Sequence, residues 1–168
     1  GGFIGSHLVE ALLARGDEVT VLDDFSTGRR ENLTPFGDRV RLVEGSLLDD
    51  TALDVALAGV THVSHQAAIP SVPRSIADPV TTFQVNSVGT FRLLEAARAR
   101  RVQRLVFASS SSIYGDNPAL PKREEMFGRP LSPYAASKAA GEGLVISYGK
   151  VYPIETVALR YFNIFGPR

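Results

Sequence analysis

The chain has 168 residues, 44% of them hydrophobic and 21% charged, and its 18 Lys and Arg balance its 18 Asp and Glu. That mix suits a globular chain of one-domain size, and the balanced charge gives no electrostatic reason to expect a nucleic acid or an anionic membrane as partner. The absence of cysteine excludes disulfides, thiolate catalysis and cysteine metal sites, and no apolar run reaches the about 18 residues that span a bilayer, so a cytoplasmic location is expected.

Helical and strand periods then alternate along the chain. Ile4, Leu8 and Leu12 recur at helical spacing up to Gly16, and "EVTVLDD" follows as a β-branched run closing on two aspartates. "RVRLVEG" predicts a strand, "DDTALDVALAG" a helix, "THVSHQAA" a strand, and the segment from about Pro79 to Arg100 a long helix. "RLVFASS" predicts a further strand, the segment around Tyr134 a helix, and "IETVALRYF" the last strand. Strands written as continuous apolar runs suit a parallel sheet covered by helices on both faces. The expected fold class is therefore α/β, a doubly wound parallel sheet with its ligand site in loops at the strands' carboxyl ends. The chain opens on "GGFIGSH" with no preceding strand and stops at "FNIFGPR" as a loop begins. Residues 1–168 are thus expected to form one partial domain, with its first strand lying before residue 1.

Three stretches carry chemistry. In "GGFIG", Gly2 and Gly5 match the last two glycines of a phosphate loop that opens a helix, one admitting a pyrophosphate to the backbone and the other allowing helix and sheet to pack closely. Asp23 ends the next strand, where a carboxylate accepts hydrogen bonds from ribose hydroxyls and repels a 2′-phosphate, so the dinucleotide expected is NAD. Arg29 and Arg30 follow closely, but are expected at a solvated helix start. In "FASSSSIYGD", four serines closing an apolar strand should line a polar cleft, because each unpaired buried hydroxyl costs about 1–3 kcal/mol. In "LSPYAASKAAGE", Tyr134 and Lys138 stand at i and i+4 near a helix start; these residues alone leave open a structural pair or a proton-transfer pair. His7, His62 and His65 show no ligand spacing with carboxylates, so no metal is expected.

Taken together, the glycine loop, Asp23, "HQAA", "SSSSIYG", "YAASK" and "RYFNIFG" resemble, in order and spacing, the extended short-chain dehydrogenase/reductases, the NAD-dependent sugar-nucleotide epimerase/dehydratase family. Within it the chain is most similar to UDP-hexose 4-epimerases acting on UDP-glucose or UDP-N-acetylglucosamine, and "HQAAIPSVPRSI" is similar to the latter branch. The resemblance implies a Rossmann-type NAD-binding domain, truncated at both ends, a UDP-sugar substrate and a homodimer in the full-length protein. It also implies a carboxyl-terminal substrate domain beyond residue 168.

The same resemblance gives Tyr134 the role of general base and acid, Lys138 that of holding the nicotinamide ribose and favouring the phenolate, and Ser110 a hydrogen bond to the reacting sugar oxygen. Cofactor contacts are implied at Gly2, Phe3, Ile4, Gly5, Asp23, Ser46, Leu47, Gln66, Ala67, Ala68, Asn86, Tyr134, Lys138 and Tyr161. Substrate contacts are implied at Ser71, Arg74, Ser110, Ser111, Ser112, Tyr134 and Asn163. Ser46 departs from the family's usual aspartate for the adenine amino group; it accepts a hydrogen bond without charge assistance, with Leu47 expected to pack on the ring. Sugar 4,6-dehydratases carry acidic residues between the serine and Tyr114 positions, where this chain has Ser111 and Ser112, which disfavours elimination. The implied reaction is 4-epimerisation through a transient 4-keto sugar with NAD retained. A UDP-glucuronate 4-epimerase, disfavoured by Asn163, another NAD-dependent nucleotide-sugar oxidoreductase and a non-catalytic dinucleotide sensor are the alternatives.

Overall fold

A computed structural model describes residues 1–167. Helices and strands alternate as α1 (Phe3–Arg15), β1 (Val19–Asp23), β2 (Val40–Glu44), α2 (Asp50–Ala56) and β3 (His62–His65). After α3 (Val72–Ala77) and α4 (Pro79–Phe83) come a π-helical turn (Gln84–Val88), α5 (Gly89–Ala99), β4 (Arg104–Ser110), α6 (Pro133–Val151) and β5 (Glu155–Tyr161). No helix among the described residues is long and apolar enough to cross a membrane.

The local signals act where the sequence places them. Gly16 ends α1 in the left-handed region, φ 91°, and donates its N–H to the carbonyls of Leu12 and Leu13, a conformation that glycine adopts without a Cβ clash. Asp49 starts α2 by accepting from the amides of Thr51 and Ala52, and Ser132 starts α6 by accepting from that of Ala135, with Pro133 in the first helical position. The long helix expected from Pro79 to Arg100 is present as α4, the π turn and α5. The short helix α3, which the pattern left unassigned, precedes it.

All strand pairs are parallel, β1 with β2 and β3 with β4 with β5, but β1 and β3 do not pair, so the strands form two sheets. Burial on both faces holds for β4, where the successive residues Phe107 and Ala108 are both buried. It fails for β2 and β5, where exposed residues are interspersed with half-buried ones. Both are edge strands, and this chain leaves Leu42, Val157 and Leu159 about two-fifths exposed. The larger core joins Leu53, Leu93, Leu94, Leu105, Phe107 and Val145 from α2, α5, β4 and α6. A full burial contributes about 1.5–3 kcal/mol per large aliphatic or Phe side chain, so this core fixes α6 against β4, the two elements that carry the serines and the Tyr134/Lys138 pair.

Candidate active site

A cleft of about 1660 Å³ opens between β1 and β3 and runs from the start of α1 to the ends of β4 and β5. Of the site residues expected from sequence, all but Arg74 and Asn86 line it.

At the α1 end, Gly2 caps the helix in extended conformation (φ −73°, ψ 170°). A Cβ added at Gly2 or Gly5 would meet nothing within 4 Å, so the start of α1, with Phe3 and Ile4, faces open space with its free amides and positive dipole end. Gly5 lines the gap between the two sheets. Asp23 closes β1 beside this loop and accepts a 2.8 Å bond from the Phe25 amide. Asn32, which the sequence did not single out, holds the Gly1 carbonyl at 2.8 Å. Arg30 pairs with Glu44 and lies 4.3 Å from the Phe25 ring centroid.

Ser46 uses its oxygen to accept from the Leu48 amide at 3.2 Å. Leu47 is only 7% exposed and belongs to the larger core. Its side chain packs beside Gly89 on α5, and the residue also lines the cleft. Gln66, Ala67 and Ala68 follow β3 along the cleft, and Gln66 Oε1 is buried with no hydrogen-bond partner. Asn86, 1% exposed, accepts from the Ile69 amide at 2.7 Å and donates to the Ile69 carbonyl and the Ser137 hydroxyl. Asn86 thereby ties the loop after β3 to α6. Ser71 caps α3 with a positive φ of 95°, whereas Arg74 is exposed and does not line the cleft.

The chemical end lies where β4, β5 and α6 meet. Ser110 Oγ accepts from the Ser112 amide at 3.1 Å and the Ser112 hydroxyl at 2.8 Å, which leaves the Ser110 proton free to donate elsewhere. Ser111 and Ser112 continue the rim in a short 3-10 turn. Tyr161 pairs in register with Ser110 across β4 and β5, and Asn163 follows it on the same wall. Tyr134 sits in the first turn of α6 and Lys138 one turn later on the same helical face. Lys138 is 3% exposed, its ammonium 4.3 Å from the Phe107 ring centroid. Burial pushes its pKa down to about 8, against the opposing attraction of Glu142.

His65 is buried with its ring centroid 5.3 Å from that of Phe107 and shares a 2.8 Å bond with Thr90 Oγ1. Thr90 donates its own proton to the Asn86 carbonyl, so His65 Nε2 is the donor in that bond. Burial, then the Lys138 charge, push its pKa to about 3, and it stays neutral. Among the described residues, no three His, Cys, Asp or Glu side chains converge as a metal site.

A second group escaped the sequence reading. Ser109 donates to Glu142 Oε2 at 2.5 Å, and Arg160 binds the Glu142 carboxylate at 2.7 Å while donating to the carbonyls of Glu124 and Met126. The one available signal was the place of Glu142 a helical turn beyond Lys138.

These features give a cleft with an anion-accepting helix start at one end, a strand-end carboxylate beside it, and a serine, a phenol and a buried ammonium at the other. The sequence pattern of the NAD dependent epimerase/dehydratase family matches residues 1–168. A UDP-glucose 4-epimerase of Mycolicibacterium smegmatis is 43% identical over 99% of this chain and 55% of its own length. The crystal structure of Thermus thermophilus UDP-glucose 4-epimerase in complex with NAD superposes with a TM-score of 0.91 at 49% identity, covering 99% of this chain and 54% of that one. A dTDP-glucose 4,6-dehydratase from Streptomyces venezuelae, with NAD bound, gives 0.93 at 38% identity, with 99% and 54% covered. The chain thus spans about half the length of these relatives. With the glycine loop, the aspartate, the serines and the Tyr134/Lys138 pair gathered on one cleft and the family pattern running over the whole chain, the chain belongs to the NAD-dependent epimerase/dehydratase family.

Proposed function

We propose that the full-length protein is a cytoplasmic, homodimeric NAD-dependent 4-epimerase of a UDP-hexose. The observation that carries this reading is the gathering of Ser110, Tyr134 and Lys138 on one cleft with Ser111 and Ser112, and no carboxylate, between the reacting serine and Tyr114. The related dehydratase keeps open a reading as an eliminating enzyme, but a chain without an acid at those two positions lacks the group to assist loss of water.

The residues present fit NAD. The open space beside Gly2 and Gly5 leaves the amides at the start of α1 available for a pyrophosphate, and Asp23 has acceptors for ribose hydroxyls. Arg30 is paired with Glu44 and stacked on Phe25. When bound, NAD supplies reversible hydride transfer at the sugar carbon. The chain's own residues do the rest. Tyr134 takes the C4 hydroxyl proton as phenolate and returns it later; Lys138 holds positive charge beside that phenolate. Ser110, its oxygen satisfied by Ser112, donates its proton to the sugar oxygen and fixes that oxygen near Tyr134.

The homodimer is supported by an unpartnered face. Val80, Phe83 and Phe91 on α4 and α5 are 69%, 52% and 44% exposed, beside the exposed small residues Ala136, Ala140 and Gly143 and the exposed Ile146 of α6. Apolar side chains next to small ones suit close helix packing with a second copy.

The test is a panel of UDP-sugars incubated with the full-length protein and resolved by chromatography. Formation of the C4 epimer without accumulating NADH supports the reading. Release of stoichiometric NADH, or a 4-keto-6-deoxy product, overturns it.

A further inference from the structure

Lys138 is a cation in a place that disfavours cations. It is 3% exposed, and no hydrogen bond to a carboxylate holds it. The faces packed around it supply little charge: His65 from β3 is neutral, Phe107 from β4 offers a ring, and Tyr134 shares its helix. Among the described residues, the anion acting on it is Glu142, one turn along α6. Glu142 is itself 3% exposed and fully committed, one oxygen to Ser109 and the other to Arg160. Ser109 immediately precedes Ser110 at the end of β4, and Arg160 immediately precedes Tyr161 at the end of β5. Arg160 also stacks on the Tyr114 and Phe127 rings, at 4.9 and 4.5 Å, and binds two carbonyls of the segment between β4 and α6.

A carboxylate held from two strands cannot swing away from its helix, so its charge is fixed relative to Lys138. Taking one unpaired charge out of water is costly, and a buried pair is tolerated where its remaining bonding positions are filled. Here Ser109 and Arg160 fill them.

We propose that Glu142, clamped by Ser109 and Arg160, is a positioning residue for the Tyr134/Lys138 pair: it provides the fixed counter-charge that keeps Lys138 an ammonium and ties α6 to the strand ends bearing Ser110 and Tyr161. The catalytic use of that ammonium rests on the reading given under Proposed function, whereas the state of Lys138 can be read without any reaction.

The experiment titrates Lys138 in the nucleotide-free full-length protein by ¹³C NMR of labelled lysine, the resonance assigned by its loss in Lys138→Met. Glu142→Gln keeps the shape and removes the charge; Glu142→Asp keeps the charge. The midpoint of Lys138 is expected to fall by about one pH unit or more in Glu142→Gln and to stay near the wild-type value in Glu142→Asp. Because Glu142→Gln leaves Arg160 without its anion, Glu142→Gln/Arg160→Met is measured alongside and is expected to show the same fall. In turnover, the alkaline limb of kcat should move down in step with the midpoint, since Lys138 then loses its proton at lower pH. An unchanged Lys138 midpoint in either folded charge-removing variant overturns the proposal. Wild-type protein that fails to epimerise while the midpoint still falls overturns the functional reading and leaves this one standing.

Discussion

Replacing Lys138 by Met should stabilise the protein while disabling it. Met matches the length of the lysine stem and carries no charge to desolvate. Burial lowers Lys138 from its ordinary 10.5 to about 8, which at 1.36 kcal/mol per decade corresponds to about 3 kcal/mol against the charged form. The residue is nearly inaccessible, so solvent screening does not reduce that figure much. Against it stands the lost attraction to the Phe107 ring, about 2 kcal/mol at a desolvated site. The net expectation is a gain of about 1 kcal/mol near pH 7. Its pH dependence follows from linkage: between about 8 and 10.5 the unfolded chain binds a proton that the folded chain has released, so wild-type stability rises with pH over that window. The advantage of Lys138→Met should therefore be full below pH 8 and vanish towards pH 10.5. Urea denaturation of the nucleotide-stripped full-length protein at a series of pH values measures it, with turnover measured in parallel. A variant less stable than wild type at pH 7, or an advantage that does not shrink with pH, would refute the reasoning.

Tyr134→Phe should lower kcat by about 100-fold or more with UDP-sugar binding nearly intact, the scale of losing a positioned acid and base; Ser110→Ala should cost less, and steady-state kinetics compares the two. Calorimetry should find NAD bound at least about tenfold more tightly than NADP, about 1.4 kcal/mol, and Asp23→Ala should erase most of that preference. Phe83→Glu places a charge on the exposed α4 face and should shift the full-length protein towards monomer in sedimentation, without altering the Lys138 titration.

The parts of this fold that were legible in sequence are those decided locally. Gly16 stops α1, Asp49 and Ser132 start α2 and α6, and Tyr134 and Lys138 share a face because a helix repeats every 3.6 residues. Asp23 was readable because a strand end following a glycine loop has one place to go. What the sequence concealed depends on pairing across distance. Glu142 reads as a charge on a helix, and only the folded strands bring Ser109 and Arg160 to it. Asn86 reads as a residue near the site, but the π turn aims it inward at Ile69 and Ser137. Leu47 reads as a loop hydrophobe, and packing against α5 claims its side chain.

The central claim, reversible oxidation at C4 without loss of water, is tested most directly by running the full-length protein with a UDP-hexose in deuterium oxide and analysing the sugar by NMR and mass spectrometry. An epimerase that returns the same hydride gives the C4 epimer with no carbon-bound deuterium. An eliminating enzyme must remove the C5 proton, and it introduces solvent deuterium into a 4-keto-6-deoxy sugar. The account predicts the first result, and the second would contradict it.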